Sequence, residues 1–195
     1  MKKEENAEKL YNPVLKAIKE RRSVRYYKPD SPPKELIEKV IDAGNWAPSA
    51  GNLQPWRFVL IEDKNLRGRL SELAIPKWKS VMETLKEDEP ERYEIHSKHM
   101  DRKDPVYYSA PVIVFVIGPS ITNCALACEN MMLAAHSLGL GCCYVGWGAL
   151  VIDEPEAIEI LDLKKGENVL GPIVMGYPEK HTKAPHKKEA KVKWI

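Results

Sequence analysis

Trp46-Ala47-Pro48-Ser49-Ala50-Gly51-Asn52-Leu53-Gln54-Pro55-Trp56 lies between a helical pattern and the first convincing strand. Two prolines bracket a run of small residues, and Asn52 and Gln54 carry amides that both donate and accept hydrogen bonds. Small residues let backbone approach a ligand closely, while the prolines fix the path in and out. Pro48, Ser49, Asn52 and Gln54 are therefore candidate binding residues. A second polar cluster, Arg21-Arg22-Ser23-Val24-Arg25, stands upstream. Together the two clusters describe a site for a flat, polar-edged ligand with a phosphate tail.

Upstream of the quoted stretch, Leu36, Ile37, Val40, Ile41 and Gly44 recur at helical spacing. Asp30 or Ser31 is expected to cap that helix, with prolines in its first turn. Val14, Leu15 and Ile18 mark an earlier helix ending around Arg21-Arg22, where cations also complement the helix dipole. Downstream, Arg57 to Ile61 reads as a strand. Leu66, Leu70 and Leu73 predict a helix that stops before Pro76. Residues 76–104 are charge-rich, with Trp78, Val81, Met82 and Leu85 as their main apolar positions. They read as an excursion over the surface, serving either as a mobile lid or as a rigid helix pair.

Pro111 to Ile117 is almost wholly apolar, as a strand covered on both faces would be. Thr122 or Asn123 is expected to start a long helix that Gly139 ends. That helix carries Ala125, Cys128, Met132, Ala134 and Ala135, side chains slim enough for close helix packing. Cys142 to Val145 forms a further strand and opens into Gly146-Trp147-Gly148. Asp153 is expected to cap a helix carrying Ile158, Ile160 and Leu161, and Val169 to Met175 forms the last strand.

The 195 residues suit a single domain over 1–195, with 179–195 as a C-terminal extension. A content of 44% hydrophobic and 30% charged residues is that of a soluble globular chain. A formal net charge of +2 gives no field that would gather nucleic acid. No apolar run reaches membrane-helix length, and Met1 to Glu5 has no apolar core behind it to make a secretory signal, so a cytoplasmic location is the expectation. Cys124, Cys128, Cys142 and Cys143 do not form Cys-x-x-Cys pairs and are expected to be buried and reduced. His96 and His99 lack a third ligand, so no metal site is expected. A glycine-rich turn between a first strand and helix is also missing, which disfavours a Rossmann dinucleotide site.

Arg-Arg-Ser-Val-Arg followed by Ala-Pro-Ser-x-x-Asn-x-Gln-Pro-Trp resembles the FMN-dependent nitroreductase family. The likeness continues through Asn130 to Gly141 and ends near Gly176-Tyr177-Pro178. Several separated motifs in the family's order are far more specific than any one alone. The resemblance implies an α+β sandwich, with a mixed, mainly antiparallel sheet flanked by helices, in an intertwined homodimer with the slim helix in its interface. It implies FMN as cofactor, NADH or NADPH as co-substrate, and a small flat electron acceptor such as a nitroaromatic or quinone.

FMN carries its own redox chemistry, so the protein need only bind, orient and tune it. By the resemblance, Arg21, Arg22 and Ser23 take the phosphate and ribityl end, with Lys187 or Lys188 closing over it. Asn52 and Gln54, from the partner chain, meet the pyrimidine edge. Arg25 is the candidate cation near N1 and the C2 carbonyl, where the reduced ring gathers negative charge. A backbone amide of Gly146, Trp147 or Gly148 is the candidate donor to N5. Other outcomes compatible with the same scaffold are an FMN carrier or sensor, a dehalogenase, or a flavin-cleaving enzyme.

Overall fold

The computed structural model describes residues 12–180 and 182–195; the Met1 to Glu5 segment lies outside them. In chain order the helices are α1 (Pro13–Glu20), α2 (Lys34–Asn45), α3 (Lys64–Asp88), α4 (Pro90–Ser97), α5 (Ile121–Ser137) and α6 (Pro155–Leu161). The strands are β1 (Arg57–Ile61), β2 (Val112–Gly118), β3 (Gly141–Tyr144) and β4 (Asn168–Gly176).

Every residue of β2 is buried, as its unbroken apolar run predicts for an inner strand. The sheet order is β1-β2-β4-β3, and all three pairings are antiparallel. Side chains alternate between faces. Ile113, Phe115 and Ile117 of β2, Cys143 of β3 and Val174 of β4 join a core with α3 and α6. Val112, Val114, Val116, Cys142, Ile173 and Met175 face the other way, into a core with α2 and α5. All four cysteines are buried and free, as expected.

Helix α3 does not stop before Pro76; it runs on to Asp88. Leu70, Ala74, Trp78, Met82 and Leu85 are buried along one continuous face of it. An interior proline costs about 3 kcal/mol, but burying Trp78, Met82 and Leu85 returns about 1.5–3 kcal/mol each. Packing therefore outweighs the missing hydrogen bond. Residues 76–88 continue α3 and send Trp78, Met82 and Leu85 into the core, which corrects the expectation that the helix stops before Pro76.

Three expected caps also differ. Ser31 donates to Glu62 Oε1 at 3.1 Å instead of capping α2, whose first turn follows Pro33 without a side-chain cap. Ser120, not Thr122 or Asn123, caps α5. Helix α6 begins after Glu154, and the Asp153 carboxylate is held by Lys77 at 2.9 Å. Ser31 and Asp153 each found a tertiary partner that local sequence does not reveal. Gly139 does end α5, with φ +78°.

Helices α2 and α5 approach so closely at Gly44 that a Cβ there would lie 2.6 Å from Met131 Cγ. No helix among the described residues is long and apolar enough to cross a membrane.

Candidate functional site

Helix α1 ends at Glu20, and the chain then turns extended, with Arg21 at ψ 134°. Ser23 forms a parallel bridge to Cys142 on the free edge of β3, and the Val24 amide donates to the Cys142 carbonyl at 2.9 Å. On its other side the same segment is stitched to 177–179: Lys28 N–H donates to Tyr177 O and Glu179 N–H to Tyr26 O, both at 2.9 Å. Gly141 makes room for this docking, since a Cβ there would strike the Val24 side chain at 2.8 Å. Arg21 to Arg25 are thus carried by the sheet rather than by a free loop.

These residues line a cavity of about 630 Å³. Arg21, Arg22, Ser23, Arg25, Lys183 and Lys187 all border it, and Glu129 is its one acidic wall residue. Lys188 does not. Of the two candidate C-terminal lysines, Lys187 is the one brought to the arginines. Lys183 and Thr182 also line the cavity; sequence reading singled out neither, because no local pattern marks them. The Arg22 guanidinium also donates to the carbonyls of Lys19 at 2.7 Å and Arg21 at 2.8 Å, closing the end of α1. It therefore serves the helix end while standing at the cavity wall.

The Pro48 to Gln54 stretch takes no part in that cavity. It forms a tight turn with Gly51, Asn52 and Gln54 all in the left-handed region, at φ 58°, 54° and 46°. Such backbone is strained for Asn and Gln, and two side-chain bonds help to hold it. The Gln54 amide donates to Ser49 Oγ at 2.9 Å, and Gln54 Nε2 donates to Asn52 O at 3.2 Å. Trp46, just before the stretch, and Leu53, within it, are 79% and 75% exposed. Within one chain the two predicted halves of the site do not meet.

Beyond β3, the Gly148 amide is already committed to Val145 O at 3.0 Å, and its carbonyl accepts from Tyr107 Oη at 2.8 Å. Of the three expected amide donors, Gly146 and Trp147 are left for a ligand. Trp147 Nε1 donates to His96 Nδ1 at 3.5 Å, tying this turn to α4.

A second cavity of about 260 Å³ also has Arg25 in its wall, together with Arg102 and Tyr108. Arg102 Nη1 donates to the Arg25 carbonyl, and its guanidinium lies 3.8 Å from the Tyr26 ring centroid. Burial, then the charges of Arg102 and Arg25, hold His99 down to about 4, so it is neutral at neutral pH. Sequence reading missed Arg102 and His99 as site residues; Arg102 stands 77 positions from Arg25, and neither shares a motif with it. Among the described residues no cluster of His, Cys, Asp and Glu could hold a metal ion.

A helix-flanked antiparallel sheet with a cationic cavity at its β3 edge defines the class, and residues 18–177 match the nitroreductase family. The chain belongs to that family, and the expected α+β sandwich is the fold observed. A Methanothermobacter thermautotrophicus protein, whose provisional name is NADH dehydrogenase/NAD(P)H nitroreductase, is 32% identical over 176 residues, 85% of this chain and 77% of that one. The iodotyrosine deiodinase of Thermotoga neapolitana is 30% identical over 128 residues, 63% of this chain and 68% of its own. A nitroreductase with bound FMN from Desulfitobacterium hafniense superposes with a TM-score of 0.77 at 26% identity, over 94% of this chain and 98% of that one.

Proposed function

We propose that this chain is an FMN-dependent oxidoreductase that uses NADH or NADPH to reduce a small flat electrophile, a nitroaromatic or quinone, by a ping-pong mechanism. The observation that carries the reading is the convergence of Arg21, Arg22, Ser23, Arg25 and Lys187 on one cavity, in a chain of the nitroreductase family. The cavity fits the group: Arg21, Arg22, Lys183 and Lys187 make a cationic wall that suits a phosphate dianion. Bound FMN supplies the hydride chemistry. The protein's part is to hold it.

Arg21, Arg22 and Lys187 clamp the phosphate, and Ser23 meets the ribityl end. Arg25 sets a cation beside the ring, and a Gly146 or Trp147 amide offers the donor that Gly148 cannot. Asn52 and Gln54 lie away from this cavity, so they serve the ring bound by a partner chain, and the working unit is a homodimer. The exposed Trp46 and Leu53 beside them support that assignment.

Apoprotein is titrated with FMN, and the holoprotein is then assayed for NADH and NADPH oxidation with a quinone and a nitroaromatic. Turnover faster than free FMN, with parallel double-reciprocal lines, is expected. Intersecting lines would reject the single shared slot. A yellow protein without turnover would decide for a carrier or sensor, and release of iodide from 3-iodotyrosine would move the activity to dehalogenation.

A further inference from the structure

Among the described residues four buried side-chain nitrogen or oxygen atoms have no hydrogen-bond partner, and three of them are Arg25 Nε, His99 Nδ1 and Arg102 Nη2. They gather around one ring. The guanidinium carbons of Arg25 and Arg102 lie 5.8 Å and 5.3 Å from the Tyr108 centroid, and the His99 ring meets Tyr108 edge-on at 5.4 Å. Two guanidiniums thus share a half-buried pocket, and neither has an ion-pair partner among the described residues.

The acidic residues in the same wall do not neutralise them. Asp104 lines the same cavity, but its carboxylate accepts from the amides of Val106, Tyr107 and Ser109. Glu179, also in the wall, is exposed and within ion-pair distance of neither arginine. Paired cations and unmatched donors in a partly dry pocket are costly unless an anion joins them. The cofactor phosphate is not that anion. Arg102 does not border the larger cavity, where Arg21, Arg22, Lys183 and Lys187 already supply the cations.

We propose that the second cavity is an anion subsite for the electron acceptor. Arg25 and Arg102, with His99 and Tyr108, hold a carboxylate carried by a flat aromatic acceptor. Arg25 belongs to the walls of both cavities, so the carboxylate end is held beside the ring end of the cofactor site. The proposal rests on the oxidoreductase reading above and narrows its substrate class to aromatic carboxylates.

Binding of benzoate, benzyl alcohol and benzylammonium to the FMN-loaded protein is measured by calorimetry. In parallel, kcat/KM is measured for 4-nitrobenzoate and 4-nitrobenzyl alcohol in wild type, Arg102→Gln and Arg102→Lys. Benzoate is expected to bind and to compete with 4-nitrobenzyl alcohol, and benzylammonium to do neither. Arg102→Gln should weaken benzoate binding about tenfold to a hundredfold, the range for losing a charge-assisted pair. The ratio of kcat/KM for nitrobenzoate over nitrobenzyl alcohol should fall with it, and Lys should restore part of both. Dividing by the neutral acceptor in each variant removes differences in reduction potential. An equal loss for both acceptors, a fall in FMN affinity that accounts for the loss of benzoate, or a wild type that reduces the alcohol but does not bind benzoate would overturn the subsite. If neither acceptor is reduced, the oxidoreductase reading fails, and the benzoate titration alone then decides whether the subsite exists. Should Arg102→Gln not fold, the wild-type probes and Arg102→Lys make the same decision.

Discussion

The two faces of the sheet are finished differently. The face under α3 and α6 is filled with bulk: Trp78, Met82, Tyr107, Phe115 and Leu161 are all fully buried there. Its rim is also tied. Arg69 pairs with Glu156, Lys77 with Asp153 and Glu154, and Arg57 with Glu167, each linking α3 or β1 to the region around α6. The face under α2 and α5 is packed with small side chains, among them Ala127, Cys128 and Ala135, with Gly44 at the helix crossing. Among the described residues its one ion pair, Lys34–Glu38, stays within α2. Beside it, Trp46 and Leu53 stand in solvent, and α5 itself exposes Ile121 and Leu126. One face is closed by bulk and tied by ion pairs; the candidate binding turn lies on the side of the other.

The strongest way to break this contrast is to ask whether two chains share a site. Subunits carrying Arg22→Glu are mixed with subunits carrying Asn52→Asp and Gln54→Glu, each inactive as its own homodimer. If sites are shared, a heterodimer gathers all the lesions in one site and leaves the other intact, so activity returns from none. If each chain builds its own site, every site keeps a lesion and the mixture stays dead.

A core substitution on the closed face tests the other half. Trp78→Ala should lower the stability of the chain by about 3–5 kcal/mol, the cost of emptying a large buried aromatic site. Leu53→Ser, 75% exposed in the single chain, should leave unfolding of the separated subunit nearly unchanged and weaken dimerisation instead. Denaturant melts and light scattering read the two effects separately. A Trp78→Ala loss below about 1 kcal/mol would show that α3 contributes little to closing its face.

The same contrast explains what could be read in advance. The four strands, α2 and the slim α5 follow from local periodicity, which the fold obeys because both faces of the sheet are covered. The path of α3 through Pro76 does not, because a local rule against proline lost to burial of Trp78, Met82 and Leu85. The caps on Ser31 and Asp153 were misread for a related reason: Glu62 and Lys77, their actual partners, are tertiary neighbours. At the site, Arg21 to Arg25 were legible as a dense cluster, and Lys187 as part of a basic tail. Arg102 and His99 were not, since only the docking of 23–28 against 177–179 and β3 brings Arg25 to them.

The smallest expected effect lies at the rim of the closed face and has a pH signature. Arg57 grips Glu167 with two bonds, Nε to Oε1 at 2.8 Å and Nη2 to Oε2 at 2.7 Å, while also donating to the carbonyls of Leu161 and Asp162 at the end of α6. These bonds, with a further one from the Lys164 amide, hold Glu167 down to about 2. An unfolded glutamate titrates near about 4.3. Since the folded value is the lower one, the unfolded chain binds the extra proton first as the pH falls. The ion pair therefore stabilises the fold fully above about pH 4.3, and the contribution drains away as the pH drops toward 2. Glu167→Gln should cost about 1 kcal/mol at pH 7, as a well-formed bidentate pair at a partly exposed site does. Its melting curve should converge with that of the wild type over that acid window. A gap that persists unchanged at pH 2, or no gap at pH 7, would mean that the closed face is held by its apolar filling alone and that its ionic rim is incidental.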